Sequence, residues 1–114
     1  MFLHEQHCEE KKIPTLLSAE KIESYLKETP EWKLNSSNSD ITRSFKFKDY
    51  HQTLLFINSV AEIAHTENHH SNICFGYNHC KITYSTHSAK GITLFDFICA
   101  AKIEQLLLQQ NYKA

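Results

Sequence analysis

The spacing of the apolar residues changes twice along this chain, and this change constrains the fold more than any other feature. Between residues 50 and 64 they recur every three or four positions, which predicts a helix. On either side, at 41–47 and 82–86, they alternate with polar residues, which predicts half-buried strands. The helical stripe consists of Tyr50, Thr53, Leu54, Ile57, Val60, Ala61 and Ala64. Asp49 directly precedes this stripe and is a candidate N-cap.

Caps and turn residues complete the predicted order of elements. Ser18 is a candidate N-cap for a short first helix. Polar residues at 36–40 and the pair Asn78-His79 are typical of turns, so each predicts a hairpin. A last helix is predicted from about Leu94 to Gln109, after a Thr93–Asp96 stretch that resembles a capping box. The resulting order is α-β-β-α-β-β-α.

This order predicts an α+β fold. Strands that are joined by short turns pair antiparallel. Four amphipathic strands and two long helices fit a two-layer sandwich, with a four-stranded antiparallel sheet and the helices packed on one face. Phe75 and Tyr77 are expected in its core, with a pocket at the sheet rim as the alternative. Cys74 and Cys99 lie in apolar runs and are expected to be small core residues.

The length of 114 residues fits one domain with one core. Residues 1–13 are polar, charged and without pattern, so we expect a flexible N-terminal arm followed by a single domain over residues 14–114. His4 and His7 lie in this arm and are expected to be solvated.

Composition argues against several classes of protein. No apolar run approaches the ~20 residues of a membrane span. The net charge of −1 provides no field for a polyanion, which argues against a nucleic-acid binder. The N-terminus lacks the basic and apolar regions of a secretory signal, and the four cysteines have no CxxC spacing. We therefore expect reduced thiols and a cytoplasmic protein.

The last predicted helix carries apolar residues on nearly every side. One stripe alone would be enough to cover the core of its own domain. The additional apolar side chains predict a partner surface, and hence a homo-oligomer.

Histidines near an acidic residue are the chemical feature of the second half of the chain. His69 and His70 follow the long predicted helix, His87 ends the last predicted strand, and Asp96 lies in the first turn of the last helix. We expect one rim of the sheet to gather these four residues. Histidine gives and takes protons near neutral pH, so two imidazoles on opposite sides of a substrate could act as acid and base.

Two other interpretations of the histidines stay open at this point. Adjacent histidines often lie on a loop surface without any catalytic role. His65 and His69 are four residues apart and could also chelate a metal ion from one helix face. The remaining histidines at positions 51 and 79 are expected at the surface and in a turn, respectively.

The spacing of these residues resembles that of the pterin-4a-carbinolamine dehydratase family. The resemblance is carried by His69-His70-Ser71, by Ile82-Thr83-Tyr84-Ser85-Thr86-His87, and by the interval from His87 to Asp96. It continues upstream through Arg43–Tyr50 and back to Leu17–Glu20.

The resemblance implies an enzyme that dehydrates 4a-hydroxytetrahydropterin and thereby recycles the cofactor of aromatic amino acid hydroxylases. It implies the fold described above, a homodimer or homotetramer, a pterin substrate, and neither a metal nor an organic cofactor. By position it implies a catalytic set of His69, His70, His87 and Asp96, and a substrate-binding set of His69, His70, Ser85, Thr86 and His87. In this scheme His69 and His87 alternate as acid and base, His70 binds the pterin, and Asp96 orients His87.

The sequence departs from the family pattern at three positions, and a second function shares the fold. Ser71 stands where proline is usual, Asn68 where an acidic residue is common, and His65 where glutamate can occur. These changes bear on rate and pH optimum.

The alternative to an enzyme is a non-catalytic module that binds pterin, dimerises or acts as a transcriptional coactivator, because one fold can host several functions.

Overall fold

The predicted alternation of helices and strands is present in the computed structural model, which describes residues 2–9 and 14–109. The helices are α1 (Ala19–Glu28), α2 (Tyr50–Glu67) and α3 (Leu94–Gln109). The strands are β1 (Lys33–Leu34), β2 (Ile41–Lys46), β3 (Asn72–Phe75) and β4 (His79–Tyr84). The α+β prediction is therefore confirmed, and the last helix spans the residues expected of it.

The four strands form one antiparallel sheet in the order β1-β2-β4-β3. Ile41 of β2 lies opposite Tyr84 of β4, and Phe45 lies opposite Cys80, so these four side chains point to the same face. All four are buried beneath the helices, whereas Lys81 on the other face is exposed. The helices thus cover one face of the sheet, as predicted.

The predicted N-caps of the first two helices are both present. The Ser18 hydroxyl accepts a hydrogen bond from the Lys21 N–H at 3.2 Å, and the Asp49 carboxylate accepts one from the Gln52 N–H at 2.9 Å. Each cap satisfies a backbone donor that the first helical turn leaves without a partner.

The buried face of α2 is rotated from the predicted stripe. Phe56 is fully buried, whereas Ala61 is exposed and Tyr50 is 46% exposed. The rings of Phe45 and Phe47 lie 4.7 and 5.0 Å from the Phe56 ring. Packing of Phe56 against these two rings turns this side of the helix towards the core.

The β3 edge of the sheet differs from the expected core. Cys74 is exposed, Phe75 is 45% exposed and Tyr77 is 63% exposed. The prediction that they lie in the core is wrong for these three residues. Cys74 lies opposite Lys81 on the uncovered face of the sheet, Phe75 ends the edge strand β3, and Tyr77 lies between β3 and β4. The predicted Asn78-His79 turn is also displaced, since His79 already belongs to β4.

The first residues of the chain pack against the domain rather than extending away from it. Leu3 is only 4% exposed and lies in a short 3-10 turn, Leu3–Glu5, beside α3. The Lys102 ammonium of α3 donates a hydrogen bond to the His4 carbonyl at 2.9 Å. Burying one leucine contributes roughly 1.5–3 kcal/mol, which favours the packed position of residues 2–9. The flexibility expected of residues 1–13 stays a prediction. The rest of that arm lies outside the described residues.

The third helix is largely buried, as its apolar composition predicts. Its buried residues include Phe97, Ile98 and Ile103, whereas Leu108 near its end is 78% exposed. Among the described helices, none combines the length and apolar character needed to cross a membrane.

Candidate active site

A sharp turn at the end of α2 brings the first of the two adjacent histidines back to the core. Asn68 ends the helix in the left-handed conformation, with φ of 52°. Asparagine tolerates this conformation better than most residues, so it suits the position that ends the helix. The His69 N–H then donates to the Ala64 carbonyl at 3.0 Å, which fixes the chain as it leaves the helix.

His69 forms a short hydrogen bond with Asp96 in the first turn of α3. The Nε2 atom of His69 lies 2.6 Å from Oδ1 of Asp96. Asp96 is completely buried, and the His69 side chain is 11% exposed. A buried carboxylate needs such partners, because removing its charge from water is costly.

The other carboxylate oxygen of Asp96 is held by two threonines. Thr86 Oγ1 donates to Oδ2 at 2.9 Å, and the Thr93 N–H donates to the same oxygen at 2.9 Å. The Thr93 hydroxyl in turn lies 2.6 Å from the Thr86 hydroxyl. One half of the predicted capping box is therefore formed, namely the hydrogen bond from the Thr93 N–H to the Asp96 side chain. This bond orients Oδ1 towards His69.

Two aromatic rings fix the plane of the His69 imidazole. The Tyr84 ring stacks on it at 5.3 Å with an angle of 14°, and the Phe95 ring meets it edge-on at 6.1 Å. The Tyr84 hydroxyl donates to the His69 carbonyl at 3.3 Å. Burial raises the pKa of Tyr84, so this hydroxyl remains a neutral donor. Because Nε2 faces the Asp96 carboxylate, the tautomer that donates to this acceptor leaves Nδ1 as the free ring nitrogen.

The histidine beside Asp96 differs from the one expected. The sequence led us to pair Asp96 with His87, but the structure pairs it with His69. The reason is the alternation of side chains along the chain that leaves β4. Tyr84 and Thr86 are buried, whereas His87 is exposed on a 3-10 turn, His87–Ala89. Thr86 therefore reaches Asp96, and His87 faces the opposite side.

The three predicted catalytic histidines are divided between two cavities, and the buried Asp96 lines neither of them. One cavity of about 150 Å³ is lined by His69 together with Cys8, Glu9, Thr86 and Phe95, among others. The other, of about 210 Å³, is lined by His70 and His87 together with Asp40, Ser71, Thr83 and Ser85, among others. The single rim that we expected is thus two recesses, of which the neighbouring residues Thr86 and His87 line one each.

Sequence reasoning missed the acidic residue of the second cavity. Asp40 directly precedes β2, and the pairing of Ile41 with Tyr84 brings it near Ser85. The Ser85 hydroxyl donates to the Ser39 carbonyl at 2.9 Å, which joins the two loops. The sequence did predict the hairpin turn that contains Asp40. Placing Asp40 beside Ser85 also required the register of β2 against β4, which the sequence alone did not provide.

The remaining histidines do not join this set. His65 is exposed on α2, and His51 is exposed in the first turn of the same helix. His7 contacts Glu67 rather than solvent alone, with its Nδ1 atom 2.8 Å from the carboxylate. Within residues 2–9 and 14–109, no three side chains of His, Cys, Asp or Glu converge as metal ligands.

The fold and the site define a class of small α+β proteins with histidine-lined cavities at one end of an antiparallel sheet. The sequence profile of the family described as pterin 4 alpha carbinolamine dehydratase matches residues 15–106. This chain belongs to that family.

Curated relatives match nearly the whole chain. A protein of Hydrogenovibrio crunogenus is 47% identical over 106 residues, covering 92% of this chain and 94% of its own length. A protein of Legionella pneumophila is 41% identical over 108 residues, covering 93% of this chain and 96% of its own. The names of both assign them, provisionally, as pterin-4-alpha-carbinolamine dehydratases.

Solved structures share the fold. A crystal structure of a transcriptional coactivator/pterin dehydratase from Brucella melitensis matches with a TM-score of 0.76 and 31% identity, covering 79% of this chain and 96% of that one. A pterin dehydratase-like protein described as a RuBisCO assembly factor matches with a TM-score of 0.58 and 23% identity, covering 67% of this chain and 88% of that one. The second match bears on the fold alone.

Proposed function

We propose that this protein dehydrates 4a-hydroxytetrahydropterin to quinonoid dihydropterin by histidine acid–base catalysis. The observation that carries this proposal is the His69 imidazole, held by the buried Asp96 carboxylate at 2.6 Å and by two aromatic rings. Family membership supports the same activity. Because a reacting imidazole must be held in one orientation, this arrangement suits a proton-transfer site.

The reaction needs two proton movements, and the site offers a group for each. The bond between C4a and the hydroxyl oxygen breaks, a double bond forms between C4a and N5, and the N5 proton is lost. We assign His69 Nδ1 as the base that takes the N5 proton, since Asp96 stabilises the resulting imidazolium. We assign His87 as the acid that protonates the departing hydroxyl, so that it leaves as water.

The remaining predicted site residues support this chemistry in different ways. His70 and Ser85 line the cavity that contains His87, and we assign them to pterin binding. Thr86, which was expected to bind substrate, is among the residues that line the His69 cavity, and its hydroxyl donates to Asp96. We therefore assign Thr86 to the orientation of Asp96.

Substitution of His87 tests the proposal. His87→Ala should lower turnover by at least about a hundredfold, because general acid catalysis contributes about 10²–10⁴-fold. The far-UV circular dichroism should not change, because His87 is exposed. His51→Ala is the matched control, since His51 is exposed and distant in the fold, and its turnover should equal that of the wild type. Turnover of His87→Ala within threefold of the wild type would refute the assigned role.

The surrounding biology is part of the same proposal. We propose that the product is returned to the tetrahydropterin cofactor of an aromatic amino acid hydroxylase, in the cytoplasm. We also propose a homodimer or homotetramer, supported by the exposure of Leu55 at 42% and Leu108 at 78%. Light scattering after size-exclusion chromatography tests this; a monomer at micromolar concentration would contradict it.

A non-catalytic module is the second candidate. The match to a Brucella melitensis protein whose description joins coactivator and dehydratase favours it. A folded protein that binds pterin without dehydrating the carbinolamine would support this function over the enzyme. Dehydration by the purified protein, undiminished by a strong chelator, would support the enzyme and argue against metal catalysis.

A further inference from the structure

Glu67, the last residue of α2, is a buried carboxylate that holds the N-terminal segment. The Cys8 N–H donates to its Oε1 at 2.7 Å, and His7 Nδ1 lies 2.8 Å from its Oε2. The Lys102 ammonium of α3 is 3.8 Å from Oε2. The Glu67 side chain is only 3% exposed. The carboxylate thus joins residues 2–9 to two helices.

The position of Glu67 is unfavourable for an acid unless these partners are present. A negative charge at a helix C-terminus opposes the helix dipole, and burial removes it from water. Burial alone would raise the pKa of Glu67, but the hydrogen bonds from Cys8 and His7 and the charge of Lys102 hold it below its usual range. The carboxylate is therefore stabilised by the N-terminal segment, and the segment by the carboxylate.

The segment held in this way reaches the cavity that contains His69. Cys8 and Glu9 line this cavity. The Cys8 sulfur lies 3.8 Å from the Phe95 carbonyl and 4.0 Å from the Cys99 sulfur. The Phe95 ring is the one that meets the His69 imidazole edge-on. The segment therefore packs on the same helical turn that fixes His69.

The cavity at His69 is small, and the segment forms part of its lining. Its volume of about 150 Å³ is below the range of about 300–1,000 Å³ that is usual for small-molecule sites. Leu3 is buried at one end of the segment, and the Cys8 N–H is hydrogen-bonded to Glu67 at the other. The segment is therefore fixed at both ends. Glu67 is also only two residues before His69, which places the anchor and the imidazole on one turn.

We propose that residues 2–9 form a strap that makes one wall of the recess at His69, and that Glu67 is the positioning residue that anchors it. Resting on the proposed function, the strap holds the reacting side of a pterin carbinolamine against His69. It acts on substrate affinity more than on the chemical step. It also limits the access of other reagents to the imidazole.

Glu67→Ala tests the anchor, with Glu62→Ala as the matched control because Glu62 is exposed on the same helix. In Glu67→Ala, hydrogen exchange of the Cys8 amide should accelerate at least about tenfold, because a released segment has almost no opening free energy. Acylation of His69 by diethyl pyrocarbonate, mapped by mass spectrometry against His51, should accelerate several-fold. KM for the carbinolamine should rise about three- to tenfold with kcat within about twofold.

Two further variants keep the test sharp if Glu67→Ala does not fold. Glu67→Gln retains an oxygen for the Cys8 N–H, so it should restore slow exchange and slow acylation. Leu3→Asp acts from the other end of the strap and leaves α2 unaltered, and it should reproduce the effects of Glu67→Ala. Glu62→Ala should match the wild type in all three measurements.

The outcomes separate the strap from the proposed activity. Unchanged acylation of His69 in both Glu67→Ala and Leu3→Asp would overturn the strap, whether or not the protein is a dehydratase. Faster hydrogen exchange of the Cys8 amide with an unchanged KM would also overturn the strap, because the segment would then not contact substrate. The wild type could lack dehydratase activity while acylation of His69 is still faster in Glu67→Ala and Leu3→Asp. This result would refute the activity and support the strap as a barrier over His69.

Discussion

The imidazole of His69 and the carboxylate of Asp96 are 27 positions apart in sequence, yet their Nε2 and Oδ1 atoms lie 2.6 Å apart. Asp96 is in the first turn of α3, where the helix dipole favours a negative charge. The carboxylate is thus held at the helix end that favours its charge, although no part of it reaches solvent. A fixed acceptor of this kind favours the tautomer of His69 that has Nδ1 free.

Asp96→Asn should remove this selection while retaining the shape of the side chain. We expect turnover to fall at least about a hundredfold, because the amide can neither stabilise an imidazolium nor enforce the tautomer. Asp49→Asn is the control, since asparagine is as good an N-cap as aspartate. Steady-state kinetics with near-UV circular dichroism check the result. A folded Asp96→Asn enzyme with near-normal turnover would remove Asp96 from the mechanism.

Thr86→Val should cost stability, because it leaves Oδ2 of Asp96 with one hydrogen bond fewer in the buried interior. We expect the free energy of unfolding to fall by about 1–3 kcal/mol, measured by urea denaturation. Thr83→Val should cost less, since the Thr42–Thr83 hydroxyl pair is only partly buried and water can replace it. Equal losses in the two variants would mean that the Asp96 network has no special weight.

The four thiols should differ in their reaction with a maleimide near pH 8. Cys74 is exposed and should react first. Burial raises the pKa of Cys80 to about 11, and Cys99 is buried, so both should be slow. The thiol of Cys8 should also be slow, because its contact with Cys99 and its burial raise its pKa. Mass spectrometry of timed samples identifies the order, and Cys74→Ser should abolish the fast phase. A fast phase that persists in Cys74→Ser would contradict the exposure of this residue.

The strap should loosen in acid. The folded-state pKa of Glu67 is below its ordinary value of 4.5. Its contribution to stability is therefore present above that value and is lost as the pH falls through the folded-state pKa. Exchange of the Cys8 amide, corrected for its intrinsic pH dependence, should accelerate over this interval. Glu67→Gln carries no titrating group and should not show the step. A step of equal size in both proteins would assign the loosening to another group.

The fold was predictable because its signals are local. Each of these signals depends only on residues that are neighbours in sequence. They are the alternation at 41–47 and 82–86, the cap residues Ser18 and Asp49, and the apolar final helix. The face of α2 was less predictable, since its rotation depends on where the rings of Phe45 and Phe47 lie. That is a tertiary contact, and no helical period contains it.

The site was predictable in its members but not in its pairing. The alternation that places Tyr84 and Thr86 inward also places His87 outward. The sequence pattern therefore already argued against a hydrogen bond between His87 and Asp96. Sequence proximity to Asp96 was the weaker guide. The packing of Leu3 and the bond from Cys8 to Glu67 had no signal of this kind, because a single leucine in a polar stretch shows no period.

The left-handed turn at Asn68 has a consequence for how this protein can vary. Two consecutive histidines leave the turn into separate recesses, His69 towards Asp96 and His70 towards Asp40. Deleting one residue between the turn and the following strand would move at least one of the two imidazoles out of its recess. The loop therefore tolerates exchange of its residues far better than any change in its length, and natural variants should preserve the residue count even where they alter the chemistry.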